Sequence, residues 1–353
     1  MSTRAFIRTT LVGGLLPTAA LVAPLLAAAP AFAEDKPATE QVFVPKVEET
    51  GRVDGVASRL TVGATVAFGN NRSVVGQTDG STMNLGMSFD SGVDYNDGKH
   101  EWRSTLAFGE AISRTPVLPE FVKSRDALTL ESIYLYHLIP SFGPFARLSL
   151  GTSMFRGTDV RPETVTYLVA RTDGSVDAIT AEKLTLTGPF RPLTLKESAG
   201  PFWRPLTSEK ANIELRAGAG ARQTFAESQL AVSDDDKTPE VEVKELDDIQ
   251  QIGLEGVLSF WGTVSEKTVT YRVGVEVMVP LAFSDLPPND TRSSIDLTNV
   301  EVGGTLSFKL VEWASLDYEL KAIREPQLLD AFQVQNNLLL TMGLSAKKDA
   351  GED

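Results

Sequence analysis

The sequence predicts an all-β chain: a transmembrane up-and-down antiparallel β-barrel of about 12 strands, with 10 or 14 as the alternatives. Three observations predict it. Segments of strict period-two alternation recur along the chain. Aromatic residues gather beside the short connections. The polar face of the strands is too rich in charge for a dry core. The longest example is Asn299 to Ala322, where Val300, Val302, Gly304, Leu306, Phe308 and Leu310 oppose Glu301, Gly303, Thr305, Ser307 and Lys309. After Val311 to Trp313, Ala314, Leu316, Tyr318, Leu320 and Ala322 oppose Ser315, Asp317, Glu319 and Lys321. Successive side chains on a strand point to opposite faces, so such a pattern reads as strand with one apolar and one polar side.

The first element is residues 1–33. Arg4 and Arg8 precede an uncharged apolar stretch that ends in Ala31-Phe32-Ala33. This is the layout of a secretory signal peptide cleaved after Ala33. Pro17, Pro24 and Pro30 argue against a retained membrane anchor. The chain has no Cys, which excludes lipoprotein modification and disulfides. Removing Arg4 and Arg8 takes the net charge from −14 to −16, the wrong sign for a nucleic-acid binder. Residues 34–57 are polar and read as a periplasmic linker, and the barrel is expected over 58–346 with a polar tail at 347–353.

Leu60, Val62, Ala64, Val66 and Phe68 make the apolar face of the first barrel segment; Met83, Leu85, Met87 and Phe89 that of the second. Trp102, Leu106 and Phe108 follow, then Leu128, Leu130, Tyr134, Tyr136 and Leu138, then Ala146, Leu148, Leu150 and Met154. Beyond an irregular stretch come Ile213 to Ala221, Ile252 to Phe260, Val269 to Val279, the two segments already described, and Val334 to Leu344. These eleven segments have about the 9–11 residues of a transmembrane strand. Connections at 96–99, 139–143, 262–267 and 311–312 are short, and those at 69–81, 111–126, 226–248, 281–297 and 324–332 are long. Short and long alternate only if residues 156–209 hide an odd number of strands. One strand near Lys183 to Thr187 satisfies this, with Thr164 to Ala170 as the competing choice. The rest of 156–209, with Pro189, Pro192, Pro201 and Pro205 among Phe190, Phe202 and Trp203, is expected as a plug or a surface loop.

If lipid surrounds the apolar face, the lumen receives Glu131, Arg147, Glu214, Arg216, Arg222, Glu255, Arg272, Glu276, Glu301, Lys309, Asp317, Glu319 and Lys321. An aromatic girdle at the headgroup boundary is expected from Tyr95, Trp102, Tyr136, Phe145, Trp261 and Tyr271. Lipid offers no backbone hydrogen-bond partners, so such a sheet must close.

The stretches "RLTVGATVAFGNNRS", "NDGKHEWRSTLAFGEA" and "RDALTLESIYLYHLIPSFGPFARLSLGTSMF" resemble the opening of the salt-induced outer-membrane proteins. Lys99 with Trp102, and Asp126 with Leu128, stand where that family enters its third and fourth strands; "ASLDYELKAIREPQLLDAFQVQNNLLLTMGLS" is similar to its closing hairpin. The resemblance implies a bacterial outer-membrane barrel without established catalysis, tied to envelope or osmotic stress. It implies outer-membrane lipid and the barrel-assembly machinery as partners. The chain departs from the family in the insert, in an acidic loop, and in ending "AKKDAGED" rather than on an aromatic residue.

Chemistry is sparse. His100 sits at a turn and His137 at a strand end. An outer-membrane lipid hydrolase would join His137 to Ser132 or Ser141, and no third group orients them. Asp234 to Asp236 with Glu240, Glu242, Glu245, Asp247 and Asp248 offer weak divalent-cation binding over 234–248, or simply a solvated acidic loop. There is no phosphate loop, nucleophile elbow or zinc-binding helix motif. The expected function is a non-enzymatic barrel of the Gram-negative outer membrane, closed or gated, without cofactor. A porin-like passive channel for small solutes is the alternative.

Overall fold

The computed structural model describes residues 54–72, 80–234, 237–265, 268–284, 286, 290–311 and 313–348. They form β1 (Gly55–Asn71), β2 (Gly80–Asn96), β3 (His100–Thr115), β4 (Leu118–Tyr136), β5 (Phe142–Thr152), β6 (Gly157–Ala170), β7 (Val176–Thr187) and β8 (Leu193–Thr207). There follow β9 (Asn212–Phe225), β10 (Leu230–Val232), β11 (Val241–Glu245), β12 (Ile249–Val264), β13 (Val269–Phe283), β14 (Asn299–Val311), β15 (Ala314–Glu325) and β16 (Leu329–Lys348). Twelve of them close a barrel in the order β1–β2–β3–β4–β5–β8–β9–β12–β13–β14–β15–β16. The seam pairs β1 with β16 antiparallel, from Ser58↔Lys348 to Ala64↔Met342. The expected signal peptide and most of the linker lie outside the described residues. Against expectation, β1 starts inside the linker range and β16 runs on into the tail range.

The strand number matches the expectation, but the sixth barrel strand is elsewhere. Both candidate segments, Lys183–Thr187 and Thr164–Ala170, belong to β7 and β6, which pair with each other outside the barrel. The barrel strand is β8. Its alternation is disguised by Pro201, by Pro205 at a register shift between Trp203 and Leu206, and by Glu197 on its outer face. Pro201 sits opposite Pro144 of β5, so two missing amide donors coincide at one rung of the ladder. The insert therefore spans 153–192 rather than 156–209.

Barrel strands run from 11 to 20 residues, longer than the apolar segments within them. The expected loops at 111–126 and 324–332 are mostly strand: β3 and β4 are separated by two residues and β15 and β16 by three. Beyond the apolar band both faces of a strand are wet, so nothing enforces alternation and the strand signal fades while the ladder continues. At one place the strands press together closely. A Cβ on Gly200 would lie 2.1 Å from the Ala217 carbonyl oxygen, and one on Gly218 2.0 Å from that of Ala199. Only glycine permits that approach of β8 to β9.

The two longest insertions, after β5 and after β9, build a second sheet in the order β10–β11–β6–β7, with β11 parallel to β6. Tyr167, Val169, Leu184, Leu186, Leu230, Val232, Val241 and Val243 are its core. The Tyr167 hydroxyl donates to Asp159 Oδ2 at 2.8 Å. Burial, reinforced by that carboxylate, pushes the phenol above its ordinary range. The insert thus packs on itself and on β10 and β11.

Candidate functional site: the barrel lumen

Alternation places Val62, Leu148, Leu254, Leu258, Val273 and Leu338 on the outside, each at least two-fifths exposed. The opposite positions point inward, and their charges meet. Arg147 on β5 reaches Glu131 on β4 at 2.8 Å, Glu276 on β13 at 2.7 Å and Glu255 on β12 at 3.4 Å. Lys196 on β8 bonds Glu276 at 3.2 Å and Glu301 on β14 at 2.7 Å. Nearer the short-turn rim, Glu214 on β9 receives Arg103 at 3.1 Å, Arg204 at 2.7 Å and Arg216 at 3.3 Å. Arg204 and Arg103 also hold Glu101, at 2.7 and 3.4 Å. Toward the other rim Arg222 pairs with Glu325, and Arg125 with Glu319 at 3.4 Å.

Most residues expected in the lumen join this network or sit beside it. Asp317 accepts from the hydroxyls of Ser307 and Ser315. Arg272 stacks over the Trp261 ring, 5.7 Å from its centroid. Lys321 is half-buried opposite Gly303. Lys309 departs: it lies exposed at the short-turn end of β14. Sequence reading missed Lys196, Arg204, Arg103 and Glu101. The first two sit on the unrecognised β8. Arg103 and Glu101 lie on β3 opposite in parity to Trp102, Leu106 and Phe108.

The girdle needs two corrections. Tyr95, Trp102 and Tyr271 are outward; the Tyr271 hydroxyl donates to the Lys210 carbonyl at 2.7 Å. Tyr136 is half-buried beside His100, with ring centroids 5.2 Å apart. Phe145, however, is 5% exposed and Trp261 7% exposed, both turned inward. Parity explains this: Phe145 shares a face with Arg147, and Trp261 with Glu255. Phe145 joins Ile133, Leu135 and Phe202 in an apolar cluster on the inner wall of β4, β5 and β8. The guanidinium groups of Arg216 and Arg204 lie 5.7 Å from the centroids of Phe145 and Phe202, so cation–π contacts join the apolar and ionic parts of the lumen.

At the other end amides accompany the ions. Asn299 donates to Gln251 at 2.5 Å, and Gln251 donates to Gln327 at 2.9 Å. Between the two ends lies a cavity of about 110 Å3 bounded by charges that include Arg59, Arg103, Arg147, Arg216, Glu214 and Glu276.

The arrangement of His137 with Ser132 is not assembled. His137 turns inward and its Nε2 lies 2.8 Å from Glu101 Oε2, whereas the Ser132 hydroxyl is outside, taken by Trp102 Nε1 at 2.7 Å. Several acidic residues of 234–248 have partners of their own. Glu242 accepts from Thr238, Glu245 from Arg171 and Thr172, and Asp248 from the amides of Ala226 and Glu227. Asp235 and Asp236 lie outside the described residues.

No protein-family model matches the chain, and no curated protein does. Among solved structures it is similar to the translocator domain of the autotransporter NalP from Neisseria meningitidis, at 11% identity and a TM-score of 0.35, covering 84% of this chain and 89% of that one. An outer-membrane channel from Pseudomonas putida F1 is 10% identical with a TM-score of 0.37, covering 85% and 99%. The transport unit of the autotransporter AIDA-I from Escherichia coli is 11% identical with a TM-score of 0.33, covering 87% and 93%.

Proposed function

We propose that this protein is a non-enzymatic barrel of the Gram-negative outer membrane whose lumen is held closed by ion pairs. The closed barrel with an apolar outer face supports the membrane setting, since a sheet without edges is what lipid demands of strands. One observation carries the closed state: the ion pairs are chords. Lys196–Glu301, Arg147–Glu276 and Arg103–Glu214 each join strands four places apart around the barrel. Each chord crosses the lumen at its own level and narrows the axial water path there. An eight-stranded barrel is filled by ordinary side chains; here twelve strands are filled by long charged ones reaching across.

Planar-bilayer recording of the purified, folded protein tests the reading. The expected result is membranes without steady unitary steps. Regular steps from the unmodified protein would make it an open solute channel instead. Fractionation to the outer membrane, with heat-modifiable migration on gels, tests the setting; recovery in the soluble periplasmic fraction would overturn it.

A further inference from the structure

Two buried side chains with unmet hydrogen-bond donors face one cavity of the lumen. Arg216 is 7% exposed; its Nη1 has no hydrogen-bond partner, and its Nε reaches Glu214 only at 3.3 Å without hydrogen-bond geometry. Trp261 is equally buried, and its Nε1 also lacks a partner. Both residues line the interior cavity of about 110 Å3. Guanidinium and indole N–H groups donate and never accept. Leaving such donors buried and unmet is unfavourable, so the guest they select is an acceptor.

Most carboxylate oxygens of the same lining are already taken, although Asp94 Oδ1 is itself buried without a partner. Asp94 is held by Arg59, Glu131 and Glu276 by Arg147, Glu301 by Lys196, and Glu214 by three guanidinium groups, all within 3.4 Å. We infer that the cavity binds a small monovalent anion of the halide class at the unmet donors that Arg216 and Trp261 present to it. A doubly charged anion would face the neighbouring Glu131 and Glu276 and is disfavoured. The volume exceeds the roughly 30 Å3 share of one water several-fold, leaving room for a hydrated ion. The inference does not depend on whether the barrel conducts.

Bromide is the probe, because it scatters anomalously and quenches indole fluorescence. In crystals of the full protein grown in bromide, an anomalous peak is expected in contact with the Arg216 guanidinium and Trp261 Nε1. In solution, bromide should quench one tryptophan component saturably, against gluconate at equal ionic strength. Trp261→Phe should remove that component. Arg216→Gln, checked for folding by heat-modifiable migration, should keep the emission but lose the saturation. Glu214→Gln, which removes the carboxylate beside Arg216, should shift saturation to lower bromide. No peak at this position, or quenching that stays linear and identical in the parent and Arg216→Gln, would mean that water alone fills the cavity.

Discussion

Arg147 offers the sharpest test of whether the lumen is dry. Its side chain is 6% exposed and faces three carboxylates at 2.7 to 3.4 Å. Replacing it by Met keeps most of the volume and removes the charge. The three acids then differ. Glu276 retains Lys196 at 3.2 Å. Glu131 is 21% exposed and can draw on water. Glu255, with a side chain 3% exposed, has Arg147 as its cation and is left buried and uncompensated. Removing one partner of a buried pair costs about 3–5 kcal/mol, and Glu255 should supply most of that loss. Adding Glu255→Gln should recover about 1–3 kcal/mol, the penalty of the stranded charge. The assay is equilibrium urea unfolding from lipid vesicles, followed by tryptophan emission. A loss below about 1 kcal/mol, the worth of a solvent-exposed pair, would show a water-filled lumen and refute the closed reading.

Three further outcomes follow from single contacts. Glu197 points outward between Leu148 and Ala221, where a lipid-facing carboxylate is unfavourable; Glu197→Leu should stabilise the barrel in bilayers by about 1–2 kcal/mol, and no gain in bilayers would mean that this face does not meet hydrocarbon. Asp126 accepts the amides of Met154 and Phe155 at 2.8 Å and the Lys123 ammonium at 2.7 Å. Asp126→Asn should speed amide exchange at 154–155 while leaving the barrel midpoint within about 1 kcal/mol; a global collapse would contradict a local pin. Because the Tyr167 phenol is raised, its contribution is complete below pH 10 and is lost as pH climbs through the folded value. Protease cleavage within 153–192 should therefore rise in strong alkali in the parent but not in Tyr167→Phe.

What was legible in the sequence is what the outer face enforces. Wherever one side of a strand must be apolar, period two survives, and the segments from Leu60 to Leu344 landed on barrel strands. Parity was legible too, had it been carried through: Phe145 and Trp261 look like girdle residues by type but belong by position to the face of Arg147 and Glu255. The rest was hidden for separate reasons. On β8 the prolines and Glu197 erase the pattern, while β6 and β7, with their own small core, imitate barrel strands. The pairing of charges could not be read, because a chord such as Lys196–Glu301 joins residues 105 positions apart through a register that only closure sets. Nor does alternation mark the ends of β3 and β4, where both faces are wet.

The network also fixes how the lumen could open. The chords do not act independently, because they converge on two carboxylates. Glu276 is shared by Arg147 and Lys196, and Glu214 by Arg103, Arg204 and Arg216. Withdrawing any one cation leaves the shared acid with another partner, so single losses strain the network without parting the walls. Neutralising a hub releases several cations at once. Glu276→Gln frees Arg147 and Lys196 toward Glu131, Glu255 and Glu301, which lie on β4, β12 and β14, so the pairs regroup and the lumen stays bridged. Glu214→Gln removes the carboxylate that Arg103, Arg204 and Arg216 share, on the wall that also carries the apolar cluster. A gate in this barrel would therefore sit at the short-turn end, around Glu214, and not at the Arg147 layer. Bilayer recordings should find steps in Glu214→Gln before any in Glu276→Gln; the reverse order would move the gate to the Arg147 layer.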